Sequence, residues 1–440
     1  MSIGNENRWL KLPTGVSFVV AAMIGTGVFT SLGFQLVDIK SVFALLMLWV
    51  IGAAISFCGA LTYGELGVAM PNSGGEYNIL TKILHPSVGF SAGLVSATVG
   101  FTAPAVLASM ALGNYFSVAV PHLDPKSIAV FVVVMLHLLH MNSIKIGTAF
   151  QNWTTSIKLA IIIIIIMFGF LIDNTQDISL VPKYNDFALI LSPNFAVSLV
   201  WVSYAYTGWN SVIYLAGEIK NPKKNIPLSM LLGTALVAFL YVLLNYIFLR
   251  STPIQNMEGQ IEIGYISGVF IFGESGAKII SFGISIILLS TISSYVFIGP
   301  RIIQAMGKNN AFIHFFDKRN ENGIPIRAFC LQLVLSLIFI FSSTFEQVLM
   351  YVGITLIITT TLTVASLFIL RRRAPKINTP YRAWGYPFTP LIFMLTNLWI
   401  LFYTFKEKLV ESSIGAGIFL ISIFIYYLPK INFNQKNKQI

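Results

Sequence analysis

Three groups of residues in this sequence have the types and the spacing to do chemistry. The first is Met23-Ile24-Gly25-Thr26-Gly27-Val28-Phe29, near the middle of an apolar stretch over 14–36. Glycine destabilises a helix by about 1 kcal/mol per residue, so a helix opens most easily there. An opened helix frees N–H groups at the start of its second half. With the positive end of the helix dipole, they make a carboxylate site. The second group is Trp201-Val202-Ser203-Tyr204-Ala205-Tyr206-Thr207-Gly208-Trp209-Asn210-Ser211, again in mid-stretch with one glycine at its centre. Ser203, Thr207, Asn210 and Ser211 would be poorly placed against lipid. The third is Lys158, about ten residues into the apolar stretch 147–172. At about 1.5 Å per residue it sits roughly 15 Å deep, near the midplane of a ~30 Å hydrocarbon core. A lysine there costs about 2.5–3.5 kcal/mol on insertion scales. An ammonium held between helices explains it better than snorkelling, and proton coupling is open to such a group.

The elements that position these groups follow from composition. The chain has 440 residues, 56% hydrophobic and 10% charged, where soluble proteins carry about 25% charged residues. It reads as an all-α, polytopic membrane protein. Twelve spans are expected, over 14–36, 42–70, 88–120, 127–142, 147–172, 193–216, 227–250, 277–306, 327–343, 346–371, 385–405 and 412–429. The first is too long for a signal peptide and is expected to be retained. Between spans seven and eight, an apolar run suggests a small extracellular lid helix at about 260–273.

Charge gives orientation. Twenty of the 28 Lys and Arg fall on the side of the N-terminus, seven on the other, and Lys158 lies within a span. The positive-inside rule puts both termini in the cytoplasm, with 1–13 a cytoplasmic segment and 430–440 a tail. The net charge of +11 then reflects a basic inner face beside anionic lipid, not a nucleic-acid partner. Cys58 and Cys330 supply no disulfide framework and read as small buried side chains. His137 and His140, spaced i,i+3, have no third ligand nearby and read as satisfied or interfacial histidines. No metal, cofactor or enzymatic cluster is expected.

Spans one and six are the interrupted ones, and each opens a block of five, 14–172 and 193–371. Broken helices at matching positions of two halves are the best sequence pointer to a midplane transporter site. An odd number of spans gives the second block the opposite topology, leaving 385–429 as two additional helices.

With those residues in view, the chain resembles the amino acid–polyamine–organocation transporters, and most nearly their L-type branch with its bacterial relatives. Ile24 to Phe29 is similar to their first-helix motif. Tyr63 to Tyr77 resembles their Y-A-E-L-G and P-x-S-G-G-E-Y segment. Tyr204 to Pro227 resembles F-A-Y-x-G-W-N followed by A-G-E-I-K-N-P-x-x-N-I-P. Leu370 to Pro387 is similar to the link before the last two helices. The resemblance implies a LeuT-type fold of two inverted five-helix repeats, with helices 1 and 6 discontinuous and two peripheral helices. It implies that amides around Gly25, Thr26 and Gly27 hold a substrate carboxylate. Carbonyls of Met23, Tyr204, Ala205 and Thr207 would take the α-ammonium, and Tyr204 stands where the family has an aromatic gate. Lys158 matches the lysine that replaces a sodium ion in sodium-independent members, and Ser290, Thr291, Ser293 and Ser294 are candidates to face it.

Two departures are a threonine between the glycines, where many L-type members have serine, and Tyr204 in place of phenylalanine. The loop Pro121 to Lys126 has no cysteine, so no disulfide-linked heavy chain is expected there. The reading is a sodium-independent amino-acid permease of the cell membrane, working by alternating access as a proton symporter or an exchanger. Neutral substrates are favoured because no acidic residue lies at mid-span. The alternatives are a cationic amino-acid or polyamine carrier of the same fold, or a receptor that binds amino acids without moving them.

Overall fold

The computed structural model describes residues 10–436 except 72–73, 143–145, 310, 322 and 374–379. Outside the described residues lie 1–9 of the N-terminal segment, Asn72-Ser73 of the second motif, Lys145, Asn322, Pro375, Lys376 and the last four residues of the tail. The described residues form helices and no strands. The elements are α1 Leu12–Met23, α2 Gly27–Asp38, α3 Val42–Ala69, α4 Gly75–Ile83, α5 Pro86–Val95, α6 Thr102–Ala119, α7 Pro125–Asn142 and α8 Ile146–Leu171. They continue with α9 Tyr184–Ile190, α10 Pro193–Tyr206, α11 Pro222–Ser251, α12 Ile254–Met257, α13 Ile263–Asn309, α14 Ile326–Ser342, α15 Phe345–Arg373, α16 Phe388–Glu407 and α17 Leu409–Lys436.

Among the described residues, nine helices or joined helices are long and apolar enough to cross a membrane, or ten if the bent pair 184–190 and 193–215 counts as one span. Two further apolar stretches, Ser156–Leu171 within α8 and Ile326–Ser342, occupy the positions expected for spans five and nine. The large exposed side chains are apolar on these helices, for example Phe131, Phe239, Phe341 and Phe402. That is the reverse of a water-soluble surface and matches a lipid solvent.

Local chemistry explains the irregularities. Proline opens α1, α5, α7, α10 and α11 at or near the first position, where its missing N–H costs nothing. Pro104 lies inside the third apolar stretch. The turn before it widens into a π-helical segment, Ser96–Gly100, which accommodates the ring and the missing donor. The apolar run Ile266 to Phe272 is helical, and α13 breaks from helical geometry at Gly273 (φ 71°) before continuing as a long apolar helix.

Two joints lie on the side of the chain's N-terminus. The Glu65 carboxylate accepts from Arg371 Nε (3.0 Å), Arg371 Nη2 (2.7 Å) and the Ala383 amide (2.6 Å), tying α3 to α15 and to the link before α16. Leu10 pairs with the chain beyond α10: its N–H donates to the Glu218 carbonyl, and its carbonyl accepts from the Lys220 amide. On the opposite side Phe34 stacks between Trp201 (4.6 Å) and Phe345 (5.9 Å). Cys58 is half-buried, whereas Cys330 is exposed. The expectation that both cysteines are buried is therefore corrected: Cys330 is on an outward face of α14, where a small apolar thiol suits lipid.

Candidate functional site

Helix 1 is interrupted between Met23 and Gly27, and helix 6 between Tyr206 and a 3-10 turn at Ser211–Leu215. The two breaks touch. A side chain on Gly27 would place its first carbon 2.4 Å from Ala205 Cα, so only glycine lets the backbones approach this closely. Gly208 adopts φ +110°, and a Cβ there would lie 2.7 Å from the Ala22 carbonyl carbon. Glycine is required at both points by contact, and at Gly208 by conformation as well.

Between the breaks lies a narrow pocket with about 10 Å³ of free space, about enough for one water molecule. Ala22, Met23, Gly25, Thr26 and Gly27 line it from helix 1, Tyr204, Ala205 and Thr207 from helix 6, and Thr291 and Tyr295 from α13. The lining carries hydroxyls, peptide groups and apolar surface but no acidic side chain. Thr26 Oγ1 and Tyr204 Oη share a hydrogen bond of 2.9 Å across the pocket. The C-terminal end of α10 and the N-terminal end of α2 both point into this region, so backbone acceptors and donors face the same small space.

Lys158 is 1% exposed. Its Nζ donates to the Ile24 carbonyl (3.0 Å) and to Thr291 Oγ1 (2.9 Å). The ammonium thus braces the first break against α13. Of the four hydroxyl residues expected near it, Thr291 makes the contact. Ser293 instead shares a 2.8 Å hydrogen bond with His140 Nε2, and Ser294 donates to the Ser290 carbonyl of its own helix. The reason is helical: at 3.6 residues per turn, Thr291 and Tyr295 share a face and Ser293 points away. His137 donates from Nδ1 to the Val133 carbonyl at 2.8 Å, and among the described residues no group of three His, Cys, Asp or Glu has the geometry to hold a metal.

Residues 10–428 match the family model described as "Amino acid permease". The chain belongs to that family. The permease is 27% identical to the serine/threonine exchanger SteT of Bacillus subtilis (strain 168), over 96% of this chain and 98% of that protein. It is 25% identical to the large neutral amino acids transporter small subunit 2 of Homo sapiens, over 95% of this chain and 80% of the other. It is 24% identical to the cystine/glutamate transporter of Pongo abelii, over 96% and 85%.

The structure adds residues to the permease site that sequence reasoning missed. Tyr241 of α11 donates to the Met23 carbonyl at 2.7 Å, so that acceptor already holds one donor. Nothing marked Tyr241, which sits in the unbroken apolar run Phe239-Leu240-Tyr241-Val242. Tyr295 was findable: it lies four residues after Thr291, on the face that meets Lys158. Glu76, inside the second motif, proves to be 2% exposed. Its Oε1 accepts from Tyr63 Oη (2.7 Å) and Asn210 Nδ2 (3.0 Å). Burial raises its pKa to about 7, against the lowering effect of those two hydrogen bonds.

Proposed function

We propose that this permease is a sodium-independent, secondary active carrier of neutral amino acids that works by alternating access through twelve spans with both termini in the cytoplasm. The observation that supports it most is the pocket between two broken helices whose backbones meet at Gly27 and Ala205. The amides around Gly25, Thr26 and Gly27 receive the carboxylate at the start of α2. The carbonyls of Met23, Tyr204, Ala205 and Thr207 receive the α-ammonium, Met23 with its second lone pair. This backbone grip reads the groups common to all amino acids and leaves selectivity to Tyr204, Tyr295 and Thr207.

A pocket lined by hydroxyls and apolar surface, without a carboxylate, favours an uncharged substrate side chain. Two of the relatives are named for serine/threonine and for large neutral amino acids, which supports that class, whereas the third is named for cystine and glutamate. The ammonium of Lys158 occupies the Ile24 carbonyl and Thr291 hydroxyl, oxygens that would otherwise suit a small hard cation. It supports independence from sodium and is compatible with proton symport or with exchange.

The test is counterflow of labelled neutral, cationic and acidic amino acids in proteoliposomes without sodium. Neutral amino acids are expected to exchange, and Gly27→Val is expected to abolish exchange while the protein still elutes as a folded species. Exchange restricted to cationic amino acids or polyamines, a need for sodium, or normal exchange by Gly27→Val would overturn the reading.

A further inference from the structure

The second break is held by a group that the transport reading leaves without a role. Asn210 is three residues beyond Thr207, in the unwound part of helix 6. Its side-chain amide is tied to Glu76 in the first turn of α4, a separate helix that packs between α5, α15 and the 3-10 turn. The same carboxyl oxygen accepts from Tyr63 of α3. One atom therefore joins three elements: α3, α4 and the segment that offers its carbonyls to the pocket. The ring of Tyr214, from the 3-10 turn, lies directly over Gly75.

Both donors to Glu76 are neutral. Among the described residues the ion pairs are Lys40–Glu258, Arg371–Glu65 and Lys408–Glu346, so no cation neutralises it. The elements packed around α4 carry other titratable and charged groups. Tyr63 and Glu65 come from α3, Tyr214 from the 3-10 turn, and Arg371 and Arg373 from α15. Tyr77 and Lys82 belong to α4 itself, and α5 brings His85 at its N-cap. Arg371 is committed to Glu65, and Arg373 donates to the Ile83 carbonyl at the far end of α4, roughly 10 Å along the helix from Glu76. The α4 dipole favours the ionised carboxyl only modestly, whereas burial without a counter-charge disfavours it strongly.

We propose that Glu76 is a proton-binding latch on the N-terminal face of the carrier. Its protonated carboxyl, buried at the start of α4, holds the unwound part of helix 6 through Asn210, and opening of that face hydrates Glu76 and lets its proton pass to water. The inference rests on the transport reading. It adds a second titratable position beside Lys158, one that acts on helix 6 where Lys158 acts on helix 1. Glu76 is a positioning residue, since it touches the segment that holds substrate and not the pocket. A carboxyl that must be neutral to stay buried biases the carrier toward this closed arrangement at low pH and releases it at high pH.

The test is counterflow of a neutral amino acid with the same buffer on both membrane faces, so that no gradient contributes. Exchange by the native protein is expected to change about tenfold between about pH 6 and pH 8, following the protonated fraction of one carboxyl. Glu76→Gln keeps an acceptor for Tyr63 and Asn210 and cannot titrate, so its profile is expected to be flat. Asn210→Leu severs the tie from the other end and is expected to flatten the profile too; if Glu76→Gln does not fold, this variant decides. A native profile that is already flat, or one that survives in either variant, overturns the proposal and returns the titration to Lys158. Absence of amino-acid exchange by the native protein at every pH overturns the transport reading instead.

Discussion

The two breaks are braced by opposite means. At helix 1 three residues leave helical order, and the cation Lys158 donates to a backbone carbonyl, that of Ile24. At helix 6 the interruption runs through four residues into a 3-10 turn, and the carboxyl of Glu76 accepts from a side-chain amide, that of Asn210. Both braces come from a third element and both are buried ionisable groups without a charged partner. The contrast with Glu65–Arg371 is instructive. There a buried carboxylate meets a bidentate guanidinium and a backbone amide, and both its oxygens accept. Paired buried charge fixes architecture; the two ionisable groups buried without a charged partner, a costly arrangement, each hold a segment where a helix is broken.

The largest effect expected from breaking this comparison is at Lys158. Replacement by methionine removes the desolvation cost and keeps the volume. The thermal midpoint in detergent is therefore expected to hold or rise, while neutral amino-acid exchange falls at least about tenfold. A lower midpoint with normal exchange would make Lys158 an ordinary structural group.

At the second break the expected effect is on stability against pH. The Glu76 carboxyl lies at about 7 in the folded protein against 4.5 when unperturbed, so the folded form binds its proton more tightly than the unfolded form does. Its contribution is complete below about pH 4.5 and is lost as pH rises through about 7. Thermal midpoints taken from pH 5 to pH 8 should decline in the native protein and decline less in Glu76→Gln. Equal slopes would remove the asymmetry between the two braces.

The smallest change is expected at the bridge between the breaks. Tyr204→Phe removes the hydroxyl bonded to Thr26 and so about 1 kcal/mol of stabilisation. It also frees the pocket for a bulkier side chain. Competition by large neutral amino acids against a small one should strengthen by about fivefold or less. Unchanged competition would place the size limit at Tyr295.

Much of this was legible in the sequence. Span positions follow from apolar length, and the breaks follow from glycines set among hydroxyl residues. Lys158 was visible because a cation in an isoleucine-rich stretch has no lipid-facing solution. What was not legible depended on distance across the fold. Tyr241 carries no local sign of its bond to Met23, 218 residues away. The four hydroxyls of α13 could be listed from sequence, but only helical phase separates Thr291, which meets Lys158, from Ser293, which meets His140. Glu76 was read as part of a motif, and its lack of a counter-charge appears only when α3, α4 and helix 6 are assembled.

The pairing of Leu10 with Glu218 and Lys220 bears on how the chain is made. Its partner segment is some 200 residues downstream, so at about 5–20 residues per second the ribosome needs roughly 10–40 s to deliver it. Until then the Leu10 peptide groups lack those partners, whereas Lys158, the donor to the Ile24 carbonyl at the first break, is synthesised earlier.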